Sequence, residues 1–244
     1  MERKYLRCIC VMTLVRIKID DKPRTKECLM ALFCKNRPTN RKLQWRLFIF
    51  CDENRMVRET KMKYEKTITL KNGRECVLRN ANETDAKDVY DNFKLTHAQT
   101  DFLLSYPDEN SYDVAQEGKF LKEKESSADE IELCAVVEGQ IVGTAGIEAI
   151  GRKEKVKHRA KFGISIDKDY WGLGIGRALT EACIDCAKKA GYLQLELDVV
   201  ADNTAASSLY KKAGFVEYGR NPKGFRSRIS GWQEVVLMRL AFDA

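Results

Sequence analysis

The chain has 244 residues, of which 32% are charged and nine are cysteine, and its formal net charge is +7. That length can bury the core of one or two domains, and no apolar run approaches the ~20 residues needed to span a bilayer. The basic excess does not mark the whole protein as a polyanion binder, because it is confined: residues 1–61 carry 16 Lys+Arg against 7 Asp+Glu, and residues 62–244 carry 27 against 29.

The segment from Met1 to Val15 starts basic and holds a short apolar patch, Cys8 to Val15. Arg16 and Lys18 end that patch before any small-residue cleavage site, so it reads as a poor secretory signal. Cys8, Cys10, Cys28, Cys34 and Cys51 are spaced unlike the paired ligands of a zinc ribbon or finger. The expected setting is the reducing cytoplasm, with free thiols. Residues 1–61 show no convincing periodicity. They read either as a basic arm for nucleic acid or as a stretch that is no true domain, with translation starting near Met62. The expected organisation is a basic, cysteine-containing extension over 1–61 and one domain over 62–244.

From Met62 the pattern is orderly. Thr67 to Leu70 and Glu75 to Arg79 read as a hairpin around Asn72-Gly73, a strong turn dipeptide. Asn82 or Thr84 can cap a helix whose apolar side is Ala86, Val89, Tyr90 and Phe93. A second helix is expected from about Glu109 to Lys124. Ile131 to Val137 and Gln140 to Ile150 form a strand pair turning at Glu138-Gly139, and Val156 to Asp167 is a further strand. Ile175, Leu179, Ala182, Cys183, Cys186 and Ala190 fall at helical spacing, and Gly191 ends that helix. Leu193, Leu195, Leu197 and Val199 alternate with polar residues as in a strand. Ala206, Leu209, Tyr210 and Ala213 mark a short helix, and strands near Phe215 to Tyr218 and Trp232 to Leu240 close the chain. The order β-β-α-α-β-β-β-α-β-α-β-β predicts an α/β fold, a mixed sheet with helices on both faces.

The stretch from Tyr170 to Leu179, YWGLGIGRAL, carries the chemistry. Three glycines at alternate positions let backbone pass close to a ligand. They also leave amide N–H groups at a helix start, a ready receptor for phosphate. A Rossmann fingerprint fails, because the third glycine position holds Arg177 or Leu179. Asp198 stands where a ribose-binding acid would, but only about seventy residues follow the motif, too few for the remaining strands of that fold.

The run from Asp169 to Leu179 resembles the acetyl-CoA motif of the GNAT N-acetyltransferases, Q/R-x-x-G-x-G/A, with Trp171 at the usual Gln/Arg position. The run from Leu197 to Asn203, followed by Ala206, Leu209-Tyr210 and Gly214-Phe215, resembles the second half of that domain. The resemblance extends from about Thr67 to Leu240 and implies a GNAT-like acyl-CoA N-acyltransferase fold with acetyl-CoA as co-substrate. It implies that the amides of Gly172, Leu173, Gly174, Ile175, Gly176 and Arg177 cradle the pyrophosphate. Ile164, Ser165 and Ile166 would pair with the pantetheine amides like an added strand, and one of their N–H groups would polarise the thioester carbonyl. Asn203 would lie near the pantetheine arm.

Tyr210, seven residues after Asn203, matches the family's acid. A phenol of pKa about 10 can protonate a departing thiolate at neutral pH, although Tyr210 also lies on an apolar helix face and could simply pack. Asp198 and Glu148 are the carboxylates expected to relieve the attacking amine of its proton. His97 and His158 are weaker candidates, and Cys183-x-x-Cys186 reads as core rather than redox pair or metal site. Arg220, Lys223, Arg226 and Arg228 crowd the last turn, where they are either a solvated basic loop or a site for negative charge. No metal is required.

The expected function is transfer of acetyl from acetyl-CoA to a primary amine by direct attack in a ternary complex. The amine is a small molecule or a protein group; paired subunits are common in the family, and no membrane partner is expected. Two other classes compete: a non-catalytic acyl-CoA sensor on the same fold, and a nucleic-acid-associated protein acting through residues 1–61.

Overall fold

The computed structural model describes residues 61–242, together with the backbone of three strands before them, β1 (Leu14–Ile17), β2 (Cys28–Leu32) and β3 (Leu47–Phe48). The chain divides between Arg58 and Glu59 into two units. In the first, β1, β2 and β3 pair antiparallel in that order, where the sequence pattern predicts no element. The expectations for residues 1–61 otherwise lie outside the described residues.

The second unit follows the predicted order. Its strands are β4 (Glu65–Thr69), β5 (Glu75–Asn80), β6 (Ile131–Val137), β7 (Gln140–Ala149), β8 (Arg159–Ile166), β9 (Gln194–Val200), β10 (Val216–Ser227) and β11 (Gly231–Ala241). Its helices are α1 (Ala86–Gln99), α2 (Val114–Ser126), α3 (Ile175–Lys189) and α4 (Thr204–Lys212). The sheet runs β10-β11-β9-β8-β7-β6-β5-β4, and every neighbouring pair is antiparallel except β8 and β9.

Two starts differ in instructive ways. Asn82 caps a single 3-10 turn, Glu83–Asp85, before α1 begins. Helix α2 starts at Val114, not Glu109, because Pro107–Glu109 forms its own 3-10 turn and Asp113 supplies the cap to Gln116. At the far end β10 is longer than expected. A bulge between Asn221 and Phe225 absorbs Pro222 without ending the strand, which an edge strand tolerates because proline has no ladder donor to lose.

Neighbouring residues of β6 show how the layers are built, since successive side chains on a strand face opposite ways. Leu133 and Ala135 join the core under α3 with Ile147, Leu179, Cys183 and Leu195. Cys134 joins a smaller cluster with Ala81, Ala86, Val89 and Leu121, under α1 and α2. Each fully buried leucine or isoleucine contributes about 1.5–3 kcal/mol, so the larger core under α3 anchors the central strands. Among the described residues no helix is long and apolar enough to cross a membrane.

Candidate active site

The sheet splits at its one parallel joint. Strands β8 and β9 are in register only from Arg159–Gln194 to Lys161–Glu196. Beyond that, Phe162 to Ile166 have no strand partner on the β9 side, although β7 pairs with them on the other. Unpaired backbone of this kind accepts an added extended chain. Ile164, Ser165 and Ile166 form this free edge. The indole of Trp171 turns back to donate to the Ile166 carbonyl at 2.8 Å, so the residue at the variant motif position closes the end of the strand.

One 3-10 turn, Lys168–Tyr170, leads from β8 into the glycine run. Gly172 and Gly174 have φ of +75° and +107°, and space is open where a side chain would stand. A side chain is strained at such φ values. The third glycine differs: a methyl on Gly176 would come within 3.4 Å of Ile166 and Leu209, so it lets α3 begin tight against β8 and α4. Helix α3 starts at Ile175 with no side-chain cap. The amides of Gly172, Leu173, Gly174, Ile175, Gly176 and Arg177 donate to no group among the described residues. Six free donors at the positive end of a long helix, beside a free strand edge, suit a phosphate joined to an extended amide chain.

Tyr210 approaches the split from the α3 side. Its ring meets Phe162 edge-on at 6.1 Å and lies 6.0 Å from Phe215. Burial pushes its phenol up to about 12, so it stays protonated at neutral pH. Asn203 caps α4 by accepting from the Ala206 amide at 3.1 Å, which leaves its amide nitrogen free for another contact.

The carboxylates lie on the opposite face. Asp198 pairs with Lys161 at 2.6 Å, across the point where the strands part. Glu148, in register with Lys161 on the β7 side, is held by Lys124 of α2 at 2.8 Å. Lys124 is itself buried; burial works against its charge, but Glu148 and Glu130 outweigh it and hold its pKa above the usual lysine value. The structure therefore brings Tyr210, the free edge, the glycine loop and Asp198 around one split, and sets Glu148 toward its closed end.

Over that face runs the α1–α2 loop, tied down at both sides. Gln99 bonds the Asp167 carboxylate and the Lys168 amide at 2.8 Å each. Asp101 accepts from Ser227, Ser230 and Gln233 of the β10–β11 hairpin. Burial would raise the pKa of Asp101, but the hydroxyls of Ser227, Ser230 and Tyr106 hold it below the ordinary value. Arg228 grips Asp108 at 2.8 Å and Glu109 at 3.2 Å and lies over the Tyr106 ring. Of the other basic residues expected in the turn, Arg220 pairs with Glu217 and Glu234. Lys223 and Arg226 lie within strand β10, against Trp232.

The remaining sequence candidates fall away from the split. His97 stacks on Phe93 and bonds its carbonyl at 2.8 Å; burial lowers its pKa, against that bond. His158 precedes β8 and serves through its carbonyl, which accepts from Leu193 and Gln194. Cys183 and Cys186 are wholly buried in the core beneath α3.

One further carboxylate lies on the Asp198 face, two strands in from the split. Glu132 sits in β6 between Ile131 and Leu133, and burial pushes it up to about 8, against the lowering effects of Lys124 and Thr144. The signal was present: a lone acid in an apolar strand, followed by glycines inside two later strands, Gly146 and Gly163.

The profile of the acetyltransferase (GNAT) family matches residues 94–215. Over 79 residues the chain is 38% identical to the [ribosomal protein bS18]-alanine N-acetyltransferase of Escherichia coli strain K12, a match covering 32% of this chain and 53% of that protein. It is 36% identical over 105 residues to N-alpha-acetyltransferase RimI of Mycobacterium tuberculosis, covering 43% of this chain and 63% of the relative. The chain thus spans less than two thirds of the length of these curated relatives, and a quarter of a mycothiol acetyltransferase from Geodermatophilus obscurus. A GNAT-family acetyltransferase structure from Streptococcus pneumoniae superposes with a TM-score of 0.65 at 31% identity, covering 69% of this chain and 99% of that one. The fold of yncA from Salmonella typhimurium, solved with its cofactor acetyl-CoA, superposes with a TM-score of 0.61 at 18% identity, covering 69% of this chain and 94% of that one.

Proposed function

The chain belongs to the acetyltransferase (GNAT) family, and from that premise we propose that it transfers the acetyl group of acetyl-CoA to a primary amine, by direct attack in a ternary complex. The split between β8 and β9 carries this reading: a free strand edge runs straight into a loop of unpaired amides, with a buried phenol on one face and a carboxylate on the other.

In this reading the amides of Gly172 to Arg177 hold the pyrophosphate, and Ile164, Ser165 and Ile166 pair with the pantetheine. Asn203 lies beside that arm and contributes its free amide nitrogen. A backbone N–H of the same edge donates to the thioester oxygen as it gains negative charge, where a fixed donor acts most strongly. Asp198 takes the proton of the entering ammonium, directly or through water, with Glu148 as the second candidate for that step. The freed lone pair attacks the carbonyl carbon, the C–S bond breaks, and Tyr210 gives its proton to the thiolate. The phenol, pushed up to about 12 by burial, then recovers a proton readily.

The acceptor class is a small-molecule or protein primary amine. The relatives named for alanine of ribosomal protein bS18 and for α-amines make a protein N-terminus the first acceptor to try. The test is calorimetry of acetyl-CoA with the full chain, followed by a panel of amines with wild type and Tyr210→Phe. Micromolar binding with turnover that Tyr210→Phe suppresses supports the proposal. A folded chain that does not bind acetyl-CoA refutes it.

A further inference from the structure

Glu132, Gly146 and Gly163 stand in one row across three strands. Glu132 is in register with Gly146, and Gly146 with Gly163. Directly opposed residues of antiparallel strands face the same way. Here that is the side of α1 and α2, because Cys134, two residues from Glu132, packs there. A methyl group on Gly146 would overlap the Glu132 carboxylate outright, so that carboxylate lies across the Gly146 backbone. A methyl on Gly163 would meet nothing within 4 Å. With strands about 4.8 Å apart, the carboxylate stands roughly one strand from the open space over Gly163.

This is also where β9 has left the sheet. The last register pair is Lys161 with Glu196, and the next residues on the same face are Gly163 and Asp198. The row therefore reads carboxylate, bare floor, split, carboxylate.

Glu132 is deep in the fold yet its residue is still partly exposed. Among the described residues it has no ion pair. Lys124, the cation nearest it on α2, is engaged by Glu130 at 3.0 Å and Glu148 at 2.8 Å. Glu117 of α2, Glu148 and Thr144 of β7, and Cys134 of its own strand complete the polar surroundings. A carboxylate desolvated without a dedicated cation is costly, and a ligand that brings the cation removes that cost.

Resting on the transferase reading above, we propose that Glu132 is the acceptor-binding carboxylate, holding the primary ammonium of the acceptor over Gly163 from the side opposite Asp198. The acceptor class is then a basic primary amine that enters protonated, not an aniline, amide or alcohol. Glu132 orients the nitrogen, and the proton leaves to Asp198 before attack. The bare backbone at Gly163 keeps the position over the mouth of the split free for that nitrogen.

The test uses the full chain loaded with CoA, which cannot turn over, and n-butylammonium as a minimal probe followed by NMR titration at millimolar concentration. Wild type should bind n-butylammonium and ignore n-butanol. Glu132→Gln should weaken the probe at least tenfold while changing the Kd of CoA less than twofold. Gly163→Ala, whose methyl has free space, should do the same by occupying the floor. If Glu132→Gln loses CoA affinity through misfolding, Gly163→Ala decides. Equal probe affinity in wild type and the folded variants overturns the proposal, as does a CoA-bound wild type that does not bind the probe. A wild type that does not bind CoA overturns the transferase reading instead.

Discussion

Replacing Glu132 by glutamine should remove a pH dependence of stability that wild type shows. The folded chain holds the Glu132 proton up to about 8, chiefly because burial disfavours the charge. The unfolded chain releases it near the ordinary glutamate value of about 4.3. Between those values the folded state binds more protons, so the free energy of unfolding must fall as pH rises and level off above the folded pKa. From pH 6 to pH 9 the loss works out at about 3 kcal/mol. Glutamine keeps the shape and does not titrate, so Glu132→Gln should lack this loss. Groups far from Glu132 titrate alike in both proteins and cancel in the difference. Urea unfolding of both full-length proteins at the two pH values measures it. If the two proteins track each other within about 0.5 kcal/mol, the Glu132 carboxyl is ionised well below pH 8 and its depth in the fold has been misjudged.

Tyr210→Phe should lower kcat about 100-fold with little change in Tm, because burial alone accounts for the perturbation of the phenol and no hydrogen bond holds it. An unchanged kcat would return Tyr210 to a packing role beside Phe162 and Phe215. Gly174→Ala places a side chain at φ +107° and should cost about 1 kcal/mol in stability while raising the acetyl-CoA Kd roughly tenfold; urea unfolding reads the first and titration calorimetry the second. Arg228→Ala frees the α1–α2 loop from the hairpin and should raise the acceptor KM several-fold, with the acetyl-CoA KM unchanged. Two unchanged KM values would show that the loop does not shape the acceptor site.

The elements were legible because local signals agreed with the final sheet. Asn72-Gly73 marks the first hairpin, alternation marks β9, and the apolar stripe from Ile175 to Ala190 marks α3. Pro107 and Asp113 misplaced the start of α2, since a 3-10 turn and a helix cap use the same residue types. Pro222 hid the length of β10, because a bulge that rescues a strand leaves no periodic trace. The glycine run and the Asn203-to-Tyr210 spacing stand out in the sequence because an uncapped helix start and a capped short helix are both local patterns. The alignment of Glu132 with Gly146 and Gly163, and the Lys161–Asp198 pair, do not stand out in this way, because they depend on register between strands distant in sequence. The same holds for Lys124, whose two acids come from β7 and from the residue before β6.

Among the described residues, hydrogen bonds and ion pairs tie the end of α1 to the residues just after β8, and the loop between α1 and α2 to the last hairpin. None of these anchors among the described residues belongs to the glycine run or to α4. Inheritance can therefore act on the two faces of the split separately. If the proposed site is right, substitutions among Asp101, Tyr106, Asp108 and their partners on the hairpin would re-tailor which amine is admitted and leave the face that carries Tyr210 as it is. A lineage of such proteins would diversify in its choice of acceptor long before it changed its donor.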